Sequence, residues 1–316
     1  SLITPHLIRN KNFYVAYSGG VDSTVLLKEV CEAAKKVNCN VTAIHINHGY
    51  SKFSDNWEQH CEKFCIEHDY PLQKFSLNIA EAEGASLESA MREKRYEIFQ
   101  SLIGKNETLF MGHHLDDQIE TLFFRILRGA GLKGSLSIPF KRNLGKGLLV
   151  RPFLNLSKKE IYEIAKLKKL KFIEDESNKD IKFDRNFLRN EVIEKISERW
   201  PNYRKSLSKY IENQKSSHEF LKEITTIELK KILHGKNIDV NKLKKYDSKY
   251  QKILILQWLE MNNCNSPSSS ALDELTKFFV SSEKTKEPKF IWGSKEKGNY
   301  ICLKIKKGII SIESNP

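Results

Sequence analysis

The sequence contains no Cys-x-x-Cys pair. Its six cysteines stand apart at positions 31, 39, 61, 65, 264 and 302. Iron–sulfur clusters and structural zinc sites use such pairs, so neither is expected. Scattered cysteines of this kind are by default buried, reduced thiols, which fits a cytoplasmic protein. No apolar run approaches the ~20 residues of a membrane-spanning helix, and no signal-peptide pattern opens the chain, so no membrane partner is expected. Internal repeats and low-complexity segments are missing too. So are the Gly-Lys-Ser/Thr of a Walker loop and the third glycine of a dinucleotide fingerprint.

What is present is a different phosphate turn. Ser18-Gly-Gly-Val-Asp-Ser23 follows an apolar run, Phe13–Tyr17, and opens an amphipathic one through Val21, Val25, Leu26, Leu27 and Val30. That is a strand, a tight turn and a helix N-terminus, whose unpaired N–H groups and positive dipole end suit an anion. Gly19 and Gly20 allow close backbone approach. Ser18, Ser23 and Thr24 add hydroxyls, and Asp22 adds a carboxylate able to hold a metal or a metal-bound phosphate. A plain helix-capping turn is the bland alternative.

Charge is divided unevenly. Residues 1–150 carry a net +1, with 18 Lys/Arg against 17 Asp/Glu, and residues 151–316 carry +12, with 35 against 23. A near-neutral half beside a basic one predicts a small-molecule site joined to a polyanion-binding surface. Solvated lysine-rich helix faces are the competing reading.

The first half alternates strand-like segments (12–17, 40–46, 71–77, 107–111) with helix-like ones (21–37, 55–69, 86–103, 115–128). This predicts an α/β fold with a doubly wound, mostly parallel, Rossmann-like sheet. A sheet-edge strand is expected to end at Leu149-Val150. Further on, 157–169 read as helix, 174–186 as an irregular polar loop and 201–233 as a long helix. The second domain is expected to be smaller and largely helical, with helices at 251–260 and 271–280 and strands within 299–311.

Three chemically rich stretches fall at strand ends: 18–23, 45–49 and 112–117. In such a sheet they converge on one crevice. His45-Ile-Asn-His-Gly49 suits an adenosine pocket, with Ile44 and His45 as lining; strand-end polarity and metal binding are the alternatives. In Gly112-His-His-Leu-Asp-Asp117, His113 and Asp117 share a helix face if the helix has already begun. Such a pair could steer a Mg²⁺-nucleotide and a proton, and zinc ligation by this stretch competes. Arg92 and Arg95, three apart on one predicted helix, suit phosphates or acidic neighbours equally well.

Ser18-Gly-Gly-Val-Asp-Ser23 resembles the signature of the PP-loop ATP pyrophosphatases, which split ATP between its α and β phosphates. The chain is similar, within these, to the tRNA(Ile)-lysidine synthetase family. The motifs concerned are His45-x-Asn-His-Gly49, Met91-Arg-x-x-Arg-Tyr96, Gly112-His-His-Leu-Asp-Asp-Gln-x-Glu-Thr121, Arg128-Gly-Ala-Gly-Leu-x-Gly134, Arg151-Pro-Phe-Leu154 and Asp175-x-Ser-Asn178…Arg185-Asn-x-x-Arg189. The likeness covers residues 12–200 and continues more weakly through 229–292. Longer family members carry a further C-terminal domain.

The resemblance implies adenylation of the wobble cytidine of an isoleucine tRNA with a CAU anticodon, followed by attack of free lysine to give lysidine, AMP and pyrophosphate. ATP would meet Ser18, Gly19, Gly20, Val21, Asp22, Ser23, Thr24, Ile44, His45 and His114. Asp22, Arg92, Arg95, His113 and Asp117 would carry the chemistry, with Asp22 and Asp117 holding Mg²⁺. Arg128, Lys133, Arg151, Arg185, Asn186, Arg189 and Arg204 would bind the tRNA. The expected layout is a catalytic domain at 1–200, a helical connection at 201–222 and a basic tRNA-binding domain at 223–316. Related folds are commonly homodimeric, so a second copy is among the expected partners.

Overall fold

Strands and helices alternate through the first two hundred residues because short β-branched and aromatic runs are separated by amphipathic ones. The computed structural model describes residues 3, 6–7, 11–49, 53–77, 85–174, 181–264, 267–281, 289–294 and 299–313. In chain order the first elements are β1 (Asn12–Ala16), α1 (Val21–Lys35), β2 (Asn40–Asn47), α2 (Ser54–His68), β3 (Leu72–Ser76), α3 (Ala85–Leu102) and β4 (Thr108–Phe110). There follow α4 (Leu115–Leu127), α5 (Leu132–Ser135), β5 (Lys141–Leu144), β6 (Gly147–Val150) and α6 (Lys158–Leu167). They build a six-stranded sheet in the order β3-β2-β1-β4-β6-β5, parallel except for β5.

Both faces of the sheet are covered, as its continuous apolar strands require. On one side Phe13, Val15 and Phe110 pack with Val25, Leu26, Phe64 and Ile161 from α1, α2 and α6. On the other, Ile44, Leu109 and Leu149 pack with Tyr96, Phe99 and Ile103 from α3 and the residue after it. From β1 the chain winds outward to β2 and β3, then returns to place β4 on the other side of β1. The β1/β4 boundary is therefore the topological switch point, where ligands of such sheets bind.

Two local expectations change. The strand ending at Val150 is interior, between β4 and β5, and the edge is Lys141–Leu144. That edge strand has exposed Lys141, Arg142 and Asn143 and buries only Leu144, so it lacks a period-2 apolar signal. Within the polar stretch 174–186, residues 175–180 lie outside the described residues. Asp184–Phe187 is not irregular but a helical turn, α7, leading into a π-helical turn at Leu188–Ile193 and α8 (Glu194–Arg199).

The long helix α9 (Tyr203–Ile232) crosses from one compact unit, Ser1–Gln214, into the next, Lys215–Pro316. The second unit contains β7 (Leu233–His234), β8 (Asn237–Asp239), α10 (Val240–Leu243), α11 (Ser248–Met261), α12 (Ser269–Ser281), β9 (Lys289–Ser294), β10 (Asn299–Lys306) and β11 (Ile309–Glu313). Its strands form an antiparallel sheet ordered β7-β8-β11-β10-β9, a larger sheet than the strand pattern at 299–311 implied. Asp239 and Asp247 cap α10 and α11 by accepting hydrogen bonds from the first backbone N–H groups of each. Trp258, Leu254, Leu275, Phe279 and Leu303 form the core of this unit. Among the described residues, no helix is long and apolar enough to cross a membrane.

Candidate active site

The turn after β1 is held in a single shape by its own side chains. Gly19 has a φ of +84°, a region open to glycine and strained for other residues. A Cβ there would also lie 2.9 Å from Cys61 Sγ and 3.2 Å from Ile173 Cδ1. Ser23 Oγ accepts from the Ser18 backbone N–H at 3.1 Å and donates to the Gly20 carbonyl at 3.0 Å, and Thr24 Oγ1 donates to the same carbonyl at 2.9 Å. Behind the loop, the Ile173 N–H donates to the Gly19 carbonyl at 2.9 Å. Ser23 and Thr24 are thus committed to shaping the loop and Val21 to the core, while the Ser18 side chain is exposed. The N-terminus of α1 is left facing the crevice, a ready anion site.

Gly112 brings the second motif against this loop. A Cβ on it would meet the Asp22 backbone C and O at 3.2 Å and Ser23 N at 3.4 Å, so only glycine allows β4 to deliver its histidines this close. The helix begins at Leu115, one residue after His114. His113 therefore precedes the helix, and the expected shared face with Asp117 does not exist. Instead, Asp117 Oδ2 accepts the His114 backbone N–H at 2.9 Å, as an N3 carboxylate does in a capped helix.

His114, only 3% exposed, sits among three carboxylates. Its Nε2 lies 3.7 Å from Asp22 Oδ1 and 3.6 Å from Asp117 Oδ2, and its Nδ1 lies 3.8 Å from Asp116 Oδ2. Burial pushes the Asp22 carboxyl above its ordinary pKa, and the Asp117 charge adds to this against the pull of His114. Burial also pushes on Asp117, but His114, His113, a backbone N–H and Arg189 outweigh it and hold that carboxyl low. His113 lies well below an ordinary histidine, through burial and through Arg151, Arg95 and Arg92 against the pull of Asp117. Burial and Arg95 lower His48 to about 4. His45, buried as well, spans its Nδ1 to the Tyr17 carbonyl at 3.0 Å.

These donors fit Mg²⁺. That ion usually takes one or two protein carboxylates and completes its octahedron with substrate phosphates and water. Asp22 Oδ1 is buried without a hydrogen-bond partner, and Asp22 and Asp117 both converge on His114 beside the phosphate turn.

Next to this centre is a cavity of about 300 Å³ lined by carboxylates (Asp116, Glu120, Glu194) and cations (Lys158, Arg189, Arg204). Glu120 is 2% exposed and binds Arg189 through two bonds, Nε–Oε1 at 2.6 Å and Nη2–Oε2 at 2.9 Å. Asp116 joins three elements: its Oδ1 accepts from Arg204 Nε at 2.7 Å and its Oδ2 from the Lys158 backbone N–H at 2.8 Å. The sequence reading gave Asp116 a role only in the competing zinc alternative and gave Lys158 none. Asp116 is adjacent to Asp117 in the sequence, and i, i+1 neighbours face apart on a helix.

The structure separates the arginines assigned to tRNA. Arg189 and Arg204 are ion-paired at the cavity, and half-buried Arg185 donates to Thr121 Oγ1 at 3.3 Å. Arg151 is 2% exposed and donates to the Pro139 carbonyl at 2.7 Å, so its guanidinium lies inside. Arg128 stands exposed over the Phe124 ring and 3.5 Å from Asp184. Lys133 is exposed and Asn186 half-buried. The Ile44 side chain belongs to the core and its carbonyl accepts the Tyr17 N–H at 2.8 Å. Arg92 and Arg95 both lie over the Tyr96 ring, within electrostatic reach of His113.

Comparison with known proteins follows this geometry. The PP-loop domain profile matches residues 2–196. The tRNA(Ile)-lysidine synthase of Buchnera aphidicola subsp. Schizaphis graminum is 34% identical over 314 residues, 96% of this chain and 69% of that protein. The chain belongs to the tRNA(Ile)-lysidine synthase family of PP-loop proteins. The Pseudomonas putida enzyme of that name is 42% identical over 228 residues, covering 72% of this chain and 53% of the relative. The Coxiella burnetii enzyme is 32% identical over 269 residues, covering 85% and 60%. The chain thus spans between about half and just over two thirds of the length of these curated relatives. Among solved structures, the U34-tRNA thiolase NcsA of Methanococcus maripaludis with its [4Fe-4S] cluster shares the fold. Its TM-score is 0.51 at 19% identity, over 66% of this chain and 72% of that one.

Proposed function

We propose that the chain ligates L-lysine to C2 of the wobble cytidine of an isoleucine tRNA with a CAU anticodon, at the expense of ATP. The observation that carries this reading is the juxtaposition of the Ser18–Ser23 turn and a cavity of mixed charge, joined by His114, which lines the cavity and lies 3.7 Å from Asp22 of the turn. The names of the relatives supply the substrates.

In the first step the cytidine O2 attacks the α-phosphorus of ATP and pyrophosphate leaves, its charge received by the N-terminus of α1 and the Ser18–Ser23 loop. Mg²⁺, when bound by Asp22 and Asp117, would neutralise phosphate charge. Arg92 and Arg95 flank the same region, and neutral His113 can donate or accept a hydrogen bond there. In the second step the lysine ε-nitrogen attacks C2, the C2–O bond breaks, AMP departs and the nitrogen loses a proton. A lysine zwitterion with an extra ammonium matches a cavity where Asp116 and Glu120 alternate with Lys158 and Arg189. A cytoplasmic location, where ATP, tRNA and free lysine occur together, fits the scattered thiols.

The test is incorporation of radiolabelled lysine into total tRNA with ATP. Incorporation that depends on tRNA(Ile) and is lost in Asp22→Asn and Asp117→Asn supports the reading; ATP cleavage that needs a sulfur donor or ammonia sinks it. The thiolase alternative is disfavoured by the cysteines. Cys31, Cys61 and Cys65 are buried, and burial pushes each thiol up to about 12, far from the reactive thiolate form.

A further inference from the structure

Arg142 and Arg151, which the ATP, Mg²⁺ and lysine chemistry above does not use, join Arg92 and Arg95 beside the catalytic centre. Arg92, Arg95 and Arg142 place their guanidinium carbons 5.3, 5.9 and 4.6 Å from the centroid of the Tyr96 ring. A single ring has two faces and can favour one or two cations, not three. Arg151 adds a fourth positive group to the same phenol. Burial raises the Tyr96 pKa, yet Arg92, Arg151 and Arg142 together bring it below the ordinary tyrosine value.

Ordinary ion pairing does not neutralise Arg92, Arg142 or Arg151. Among the described residues, none of Arg92, Arg142 or Arg151 pairs with a carboxylate, and Arg151 Nε is buried without a hydrogen-bond partner. Arg125 extends the field: burial, then Arg92 and Arg185, lower its pKa. Arg92 and Arg142 are exposed, on α3 and the edge strand β5, so an anion can reach them from solvent. The group also lies within electrostatic reach of the reaction centre, where Arg151, Arg95 and Arg92 all help to hold His113 neutral.

We propose that Arg92 and Arg142, backed by buried Arg151, form an anion site separate from the Ser18–Ser23 loop, and that its ligand is a phosphodiester of the RNA substrate beside the reacting nucleotide. This rests on RNA being the substrate, as proposed above. Planar guanidiniums suit bidentate phosphate contacts. A backbone phosphate held here positions the RNA without reading its bases, leaving base recognition to other contacts.

Arg142 is the informative position, because it is exposed and lies outside the ATP and lysine machinery. The test is fluorescence polarisation of a labelled CAU anticodon stem-loop against the full chain over a salt series, combined with steady-state KM for tRNA and for ATP. Arg142→Ala is expected to weaken RNA binding about ten-fold and to lower the salt slope by about 0.7, the single-strand value for one phosphate. The KM for ATP should stay within about two-fold, and Arg142→Lys should recover part of the loss. Unchanged affinity and slope in Arg142→Ala would overturn the proposal. So would an equal rise in the KM for ATP, since the anion bound there would then be the nucleotide's. If the wild-type chain incorporates no lysine, the reaction assigned above fails, but the salt slope still decides the arginine site.

Discussion

At the scale of single residues, the active centre is built from titratable groups whose pKa values have been driven apart. His48 and His113 are buried beside arginines and stay neutral at pH 7. For His48 the sign is definite: the unfolded histidine binds a proton near 6.5, the folded one near 4. Its stabilising contribution is complete above pH 6.5 and is lost as pH falls toward 4. His48→Gln should therefore flatten this part of the stability–pH curve, by up to about 1.4 kcal/mol per pH unit, as urea unfolding at pH 7 and pH 5 would show. The same penalty on a buried charge shifts Asp22 the other way, upward, so its carboxylate costs stability at neutral pH. Asp22→Asn should raise Tm by about 2–4 °C at pH 7 while lowering activity at least ~100-fold, read by calorimetry and lysine incorporation on one sample. A Tm drop in this variant would mean that the carboxylate is structural.

At the scale of elements, two loops from opposite sides of the switch point have to touch. Gly112→Ala would place a methyl group 3.2 Å from the Asp22 backbone, which cannot rotate away as a side chain can. We expect a cost of about 1–3 kcal/mol and a fall in kcat larger than the change in KM for ATP, measured by unfolding and initial rates. Glu120 on α4 and Arg189 on the π-helical turn form the second inter-element lock. Glu120→Ala should destabilise the first unit by about 2–4 kcal/mol, somewhat less than a fully buried pair because Arg189 is partly exposed. Restored stability in the Glu120→Ala/Arg189→Met double variant would show that the cost comes from the orphaned guanidinium. Neither lock was legible beforehand. Gly112 was read only as the first residue of its strand-end motif, and Glu120 and Arg189, 69 residues apart, carry no local signal of pairing.

At the scale of the whole molecule, the charge split at residue 150 falls inside the first compact unit: residues 1–214 carry a net +6 and residues 215–316 a net +7, so we propose that nucleotide chemistry belongs to the first unit while both units bind polyanion. The core of the second unit centres on Trp258, 1% exposed, whose Nε1 donates to the Lys236 carbonyl at 2.8 Å. Trp258→Ala should cost that unit about 3–5 kcal/mol and weaken tRNA binding while leaving ATP binding by the first unit intact, measured by filter binding and nucleotide titration. Equal loss of both would argue against this assignment.

The alternation of periods along residues 12–128 was enough to predict a doubly wound sheet, because strand and helix patterns are local. The turn at 18–23 was legible for the same reason, since glycine, hydroxyl and carboxylate lie within six residues. Only the tertiary structure decided that the strand at 147–150 is interior, that the helix of the third motif starts after His114, and that Arg151 is buried. Only it could gather Asp116, Lys158 and Arg204 into one hub, or Arg92, Arg142 and Arg151 around Tyr96. Period and composition are properties of neighbouring residues, whereas burial and ion pairing depend on which distant segments the sheet order brings together.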